Sequence, residues 1–120
     1  MGLAPASTSL KVYCKCKFIL LYEKRPKLPK ATHRWIPDVL DGGVADKRYH
    51  RWGQPVSEAE YLIEYLSEPG GLIVDPCAGA GTVAVAAIRT TRRYIATEID
   101  AGTAAVARAR CAEEQAALTG

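Results

Sequence analysis

The residues Asp75-Pro-Cys-Ala-Gly79-Ala-Gly81-Thr82 follow the apolar run Gly71-Leu-Ile-Val74. Two glycines one residue apart, placed after a strand-like run, can take positive φ and bring backbone N–H groups to a ligand with no Cβ in the way. A helix starting near Thr82 would turn its positive end to the same space. Glu98 closes the next strand-like run, Arg93 to Glu98, and a carboxylate there can accept hydrogen bonds from both hydroxyls of a ribose. The chemistry offered is the holding of a nucleoside cofactor.

Two cofactors fit the bare pattern. Gly79-Ala-Gly81-Thr-Val-Ala84 matches G-x-G-x-x-A, with Glu98 near the spacing of a dinucleotide fingerprint, which makes NAD a candidate. Asp75 adds a second carboxylate, which repels a pyrophosphate and attracts the ammonium and sulfonium of S-adenosylmethionine. Pro76 and Cys77 lengthen the turn as well. A turn using glycine for conformation alone is the third reading.

The elements that must position these residues are those of a half-wound α/β unit. Val56 to Ser67 places Ala59, Leu62, Ile63 and Leu66 on one helical face and Glu58, Glu60 and Glu64 elsewhere. Ser57 with Glu60 reads as a capping box, and Pro69-Gly70-Gly71 ends the helix. A buried strand over Gly71 to Asp75, the loop, a helix over Thr82 to Arg89, the strand Arg93 to Glu98, and a last helix capped by Asp100 and running through Ala117 follow. That order is half of a doubly wound sheet, with the loop at the carboxyl end of its strand where ligands bind. Upstream, Lys11 to Tyr22 alternates and then runs apolar, which predicts a strand closed by Pro26 and Pro29. Arg25 to Gly53 has no period and reads as a long loop or small irregular module.

The chain has 120 residues, 48% hydrophobic and 24% charged, enough for one modest domain. Its net charge of +3 divides unevenly: residues 1–55 carry 11 Lys or Arg against four acids, and residues 56–120 carry five Arg against nine acids. The basic half is able to meet a polyanion or to be a solvated surface; the acidic half does not suit one. With no span of bilayer length and no secretory leader, a cytoplasmic protein with no membrane partner is expected, and Cys14, Cys16, Cys77 and Cys111 as free thiols. Cys14 and Cys16 with His33 or His50 supply half a metal site, yet no second pair stands at zinc-finger spacing, and no metal is expected.

With Asp75-Pro-Cys-Ala-Gly79-Ala-Gly81-Thr82, Ala86-Ala87, Arg93 and Glu98, the chain resembles the DNA amino-methyltransferases whose catalytic motif precedes the cofactor motif. Their cofactor segment reads D-P-F-x-G-[ST]-G-T, then A-A, then R-x-x-x-G-x-E; Cys77 replaces the usual Phe and Ala80 the usual Ser or Thr. His50-Arg-Trp52-Gly-Gln54-Pro55 is similar to the family's H-P-x-x-K-P, which precedes a helix and contacts the methionine part of the cofactor. Gly53-Gln54 there replaces a polar and basic pair, and His50 and Trp52 read equally well as loop anchors. The resemblance implies a partial Rossmann-like α/β fold. It implies S-adenosylmethionine on Asp75, Pro76, Cys77, Ala78, Gly79, Gly81, Thr82, Glu98 and Ile99, with Trp52, Gln54 and Pro55 on the methionine side. It also implies DNA as partner, through the basic segment Lys24 to Arg51.

The family's catalytic motif, [DNS]-P-P-[YFW], holds the target amino group and stacks the flipped base. No two of the seven prolines here are adjacent, so the motif is absent from these residues and no catalytic residue is assigned. The expectation is a carboxy-terminal portion of a methyltransferase, a fragment, relic or split subunit that is inactive alone. It would need an N-terminal catalytic region or a partner chain. Residues 1–23 then end the catalytic region, 24–51 form a basic, DNA-facing loop, and 52–120 form the cofactor lobe. With the neighbouring strand gone, Leu72 to Val74 would show an apolar edge.

Overall fold

A computed structural model of the chain describes residues 19–22, 39–40, 43, 47–49 and 53–120. Its elements run α1 (Val56–Leu66), β1 (Leu72–Asp75), α2 (Thr82–Arg89), β2 (Arg93–Ala96) and α3 (Ala101–Thr119). The expected order holds, with ends moved by one or two residues. β1 and β2 form a parallel pair in which Ile73 faces Tyr94 and Asp75 faces Ala96. Parallel register sets both strand tips, and the loops that follow them, at the same end of the sheet.

Both strands alternate, as a strand with one covered face must. The inward residues Ile73, Tyr94 and Ala96 meet the helices: Ile63 of α1 packs with Ala86 and Ala87 of α2, and Cys111 of α3 with Ala84 and Val85. Helix α2 lies at the centre of this layer, and its four buried residues are Ala84, Val85, Ala86 and Ala87. Small side chains let a central helix approach two others and the sheet at once. On the opposite face Leu72, Val74 and Ile95 are 48%, 63% and 54% exposed. The apolar surface expected at an edge is therefore mainly a face. Cys77 and Cys111 are free thiols; Cys14 and Cys16 lie outside the described residues.

One expectation fails, and a second is tested over its last four residues only. Helix α1 starts with Pro55 as its N-cap and has no side-chain cap bond, so Ser57 and Glu60 make no capping box. Glu60 instead accepts a hydrogen bond from Arg89 at 3.2 Å, a charge-assisted pair that outcompetes the local cap. Of the strand expected over Lys11 to Tyr22, residues 11–18 lie outside the described residues, and Ile19–Tyr22 are exposed and not in a strand. A strand needs a ladder partner, and the sheet of this chain consists, among the described residues, of β1 and β2.

Candidate functional site

The loop after β1 is built from short-range bonds and closed by two residues of the β2 tip. Asp75 Oδ1 accepts the Cys77 N–H at 3.1 Å, bending the chain out of the strand. Thr97 takes the loop from the other side: its hydroxyl donates to the Pro76 carbonyl at 2.9 Å, and its own carbonyl accepts the Ala78 N–H at 2.9 Å. Glu98 Oε2 accepts the Gly79 N–H at 2.8 Å, and Glu98 Oε1 accepts the Asp100 N–H at 3.0 Å. The Asp100 N–H first and the Gly79 N–H second hold the Glu98 carboxyl below its ordinary range. A half-exposed, firmly ionised carboxylate thus stands at the glycine loop, where the sequence places it.

The two glycines do different work. Gly79 has φ +52 and would carry a Cβ into open space, with no protein atom within 4 Å. Gly81 has φ +79 and would set a Cβ 3.1 Å from the Ala107 Cβ of α3. One glycine leaves room for a ligand; the other lets a helix pack. The expectation that both N–H groups face the ligand is corrected, because the Gly79 N–H is given to Glu98 and the Gly81 N–H to the Ala78 carbonyl at 2.9 Å.

Among the remaining candidates, Pro76 and Cys77 are exposed, Ala78 is half-buried, and Ile99 is fully exposed beside Glu98. Thr82 opens α2, and its hydroxyl accepts a hydrogen bond from Arg110 at 3.3 Å. Gln54 is exposed and Pro55 buried at the start of α1, while Trp52 lies outside the described residues, as does most of Lys24 to Arg51. Sequence reasoning missed Thr97 and Arg110. Arg110 had a signal: it stands three residues after Ala107 and beside Cys111, on the inward face of α3. A separate cleft of about 890 Å³, lined by Lys47, Tyr49, Pro55, Arg89, Arg110 and Glu114 among others, contains no residue of Asp75 to Thr82. No group of three His, Cys, Asp or Glu able to hold a metal occurs among the described residues.

A strand, a bent glycine loop and a carboxylate from the next strand tip are what a nucleoside-cofactor fold requires. A family model for DNA methylases of the N6/N4 type matches residues 10–109. This chain belongs to that DNA methylase family. The chain is 38% identical over 85 residues to the protein named "Putative methylase YubD" of Escherichia coli (strain K12), covering 71% of this chain and 36% of YubD. It therefore spans about a third of that relative's length. It is also similar to crystal structures of TTHA0409 of Thermus thermophilus, a protein named "Putative DNA Modification Methylase". Its selenomethionine form matches at 32% identity and TM-score 0.57, over 73% of this chain and 36% of that one. Another crystal structure of it matches at 31% identity and TM-score 0.55, over 78% and 40%. TTHA0409 has also been crystallised in complex with S-adenosyl-L-methionine.

Proposed function

We propose that this chain is the cofactor-holding part of a DNA amino-methyltransferase, acting on N6 of adenine or N4 of cytosine, and that it binds S-adenosylmethionine at the corner of β1 and β2. The observation that carries the reading is the Glu98 carboxylate held on the Gly79 N–H at 2.8 Å, beside a glycine whose Cβ position is open. Of the two cofactors that the glycine pattern admits, family membership favours the methyl donor.

The residues fit that group. Glu98 accepts from the ribose hydroxyls, and the fully exposed Ile99 next to it covers the adenine ring. Asp75 suits the cationic end, and Gln54 and Pro55 the methionine part. When bound, S-adenosylmethionine supplies an electrophilic methyl. Everything these residues do is hold and orient it, because the [DNS]-P-P-[YFW] element that presents an amino acceptor is not in the sequence. That element comes from a catalytic region or partner chain, and the basic stretch Lys24 to Arg51, including the exposed Lys47 and Arg48, meets DNA phosphates.

Calorimetric titration of the chain with S-adenosylmethionine tests the reading. The wild type is expected to bind and Glu98→Ala to bind about tenfold or more weakly, the loss of charge-assisted hydrogen bonds. Equal affinities would remove Glu98 from the site. No heat from either protein, in a folded sample, would remove the cofactor.

A further inference from the structure

Arg110 is the charged residue most deeply buried in α3, 7% exposed, and it reaches the cofactor loop from the wall of the cleft it shares with Glu114. Its Nη1 donates to the Ala80 carbonyl at 3.2 Å and to the Thr82 hydroxyl at 3.3 Å. The Tyr49 ring lies 4.6 Å from the guanidinium carbon and shields it from water. Ala80 sits between Gly79 and Gly81, both at positive φ, and Thr82 is the first residue of α2, so one guanidinium bridges the second half of the loop to the helix that follows. Burying a cation is costly unless its donors are used, and here Nη1 is used on the Ala80 carbonyl within the turn.

We infer that Arg110 is a positioning residue for the cofactor loop, holding Ala80 and Thr82 so that the Gly79 corner stays open, with Tyr49 as its cover. This rests on the proposed cofactor reading only for its effect on affinity; the effect on the loop stands by itself. Glu98 anchors the first half of the loop and Arg110 the second, from opposite sides in the chain. Side chains of similar length separate charge and donors from packing: Met keeps the stem, and Lys keeps a donor cation.

The experiment is amide hydrogen exchange on the full chain, resolved by residue, in wild type, Arg110→Met and Arg110→Lys, followed by titration with S-adenosylmethionine. In Arg110→Met the amides of Gly79 and Gly81 are expected to exchange about tenfold faster while those of Val74 and Ile95 keep the wild-type rate. Arg110→Lys should restore most of that protection, and cofactor affinity should follow the same order. Unchanged loop exchange in Arg110→Met overturns the inference, and so does faster exchange spread evenly over the strands, which is a role in overall stability alone. A wild type that takes up no cofactor sinks the cofactor reading, while the exchange data still decide the role of Arg110.

Discussion

Glu98 Oε2 and the Gly79 N–H meet at 2.8 Å, so the tip of β2 is tied to the loop after β1 at a glycine whose Cβ would enter open space. Gly81, two residues on, faces Ala107 at 3.1 Å instead. Alanine should therefore separate the two glycines. Gly79→Ala meets only the backbone cost of a left-handed residue, about 1–2 kcal/mol, and fills the space left for the ligand. Gly81→Ala adds a clash with α3 and should lose more, about 2–4 kcal/mol. Urea denaturation ranks the stabilities, and titration with S-adenosylmethionine should show Gly79→Ala binding poorly although folded. The reverse ranking would contradict the division of labour.

The same corner makes a pH prediction. The Glu98 carboxyl is held below its ordinary value of 4.5 by the Asp100 and Gly79 N–H groups, and Asp100 below its ordinary 3.8 by the Thr103 N–H. Groups whose folded pKa is depressed stabilise the fold fully above the unfolded pKa and lose that contribution as pH falls through the folded one. Thermal stability should stay level down to about pH 5 and decline below it. Glu98→Gln should be less stable than wild type near neutrality, and the difference should shrink as the pH falls below the ordinary carboxylate range. Parallel curves for the two proteins would show that the Glu98 charge does not contribute.

Much of this corner was legible because its determinants are local. Asp100 caps α3 through the Thr103 N–H at 2.7 Å, as its position before an Ala-rich run indicates, and parallel pairing alone brings Asp75 and Glu98 to one end. What was illegible depends on rotation and distance. Arg110 needed the facing of α3 before it could be placed on the loop 28 residues away at Thr82. The capping-box pattern at Ser57 and Glu60 was misleading, because Glu60 finds Arg89, 29 residues on, once α1 and α2 pack. Ile19–Tyr22, the described end of the apolar run, have strand composition yet lie outside the sheet of β1 and β2.

Arg89 joins three helices: from α2 it donates to Glu60 of α1 at 3.2 Å and to both oxygens of Glu114 of α3 at 2.6 and 2.9 Å. The Arg89 guanidinium holds the Glu114 carboxyl below its ordinary range. The Arg89 side chain is 44% exposed, so solvent screens much of this, and the network should be worth about 1 kcal/mol rather than several. Arg89→Met is expected to lower stability by that amount at low salt and by less at about 1 M salt. In a double-mutant cycle with Glu114→Gln the two losses should not add. Strict additivity would mean that the contacts carry no coupling energy.

A sheet face that no described residue covers sets the last expectation. Leu72, Val74 and Ile95 stand out on the side away from the helices, and burying such side chains yields about 1.5–3 kcal/mol each. In longer relatives this chain matches only about a third of the length, 36% in YubD, so more polypeptide is available there to cover a face of this kind. For the chain by itself a second copy is one available cover, and sedimentation is expected to show concentration-dependent association. Val74→Thr with Ile95→Thr keeps β-branched residues in the strands while removing apolar surface, and should shift the chain toward monomer with little change in melting temperature. A wild type that is monomeric at high concentration and melts in a sharp, cooperative transition would show that the face is tolerated open.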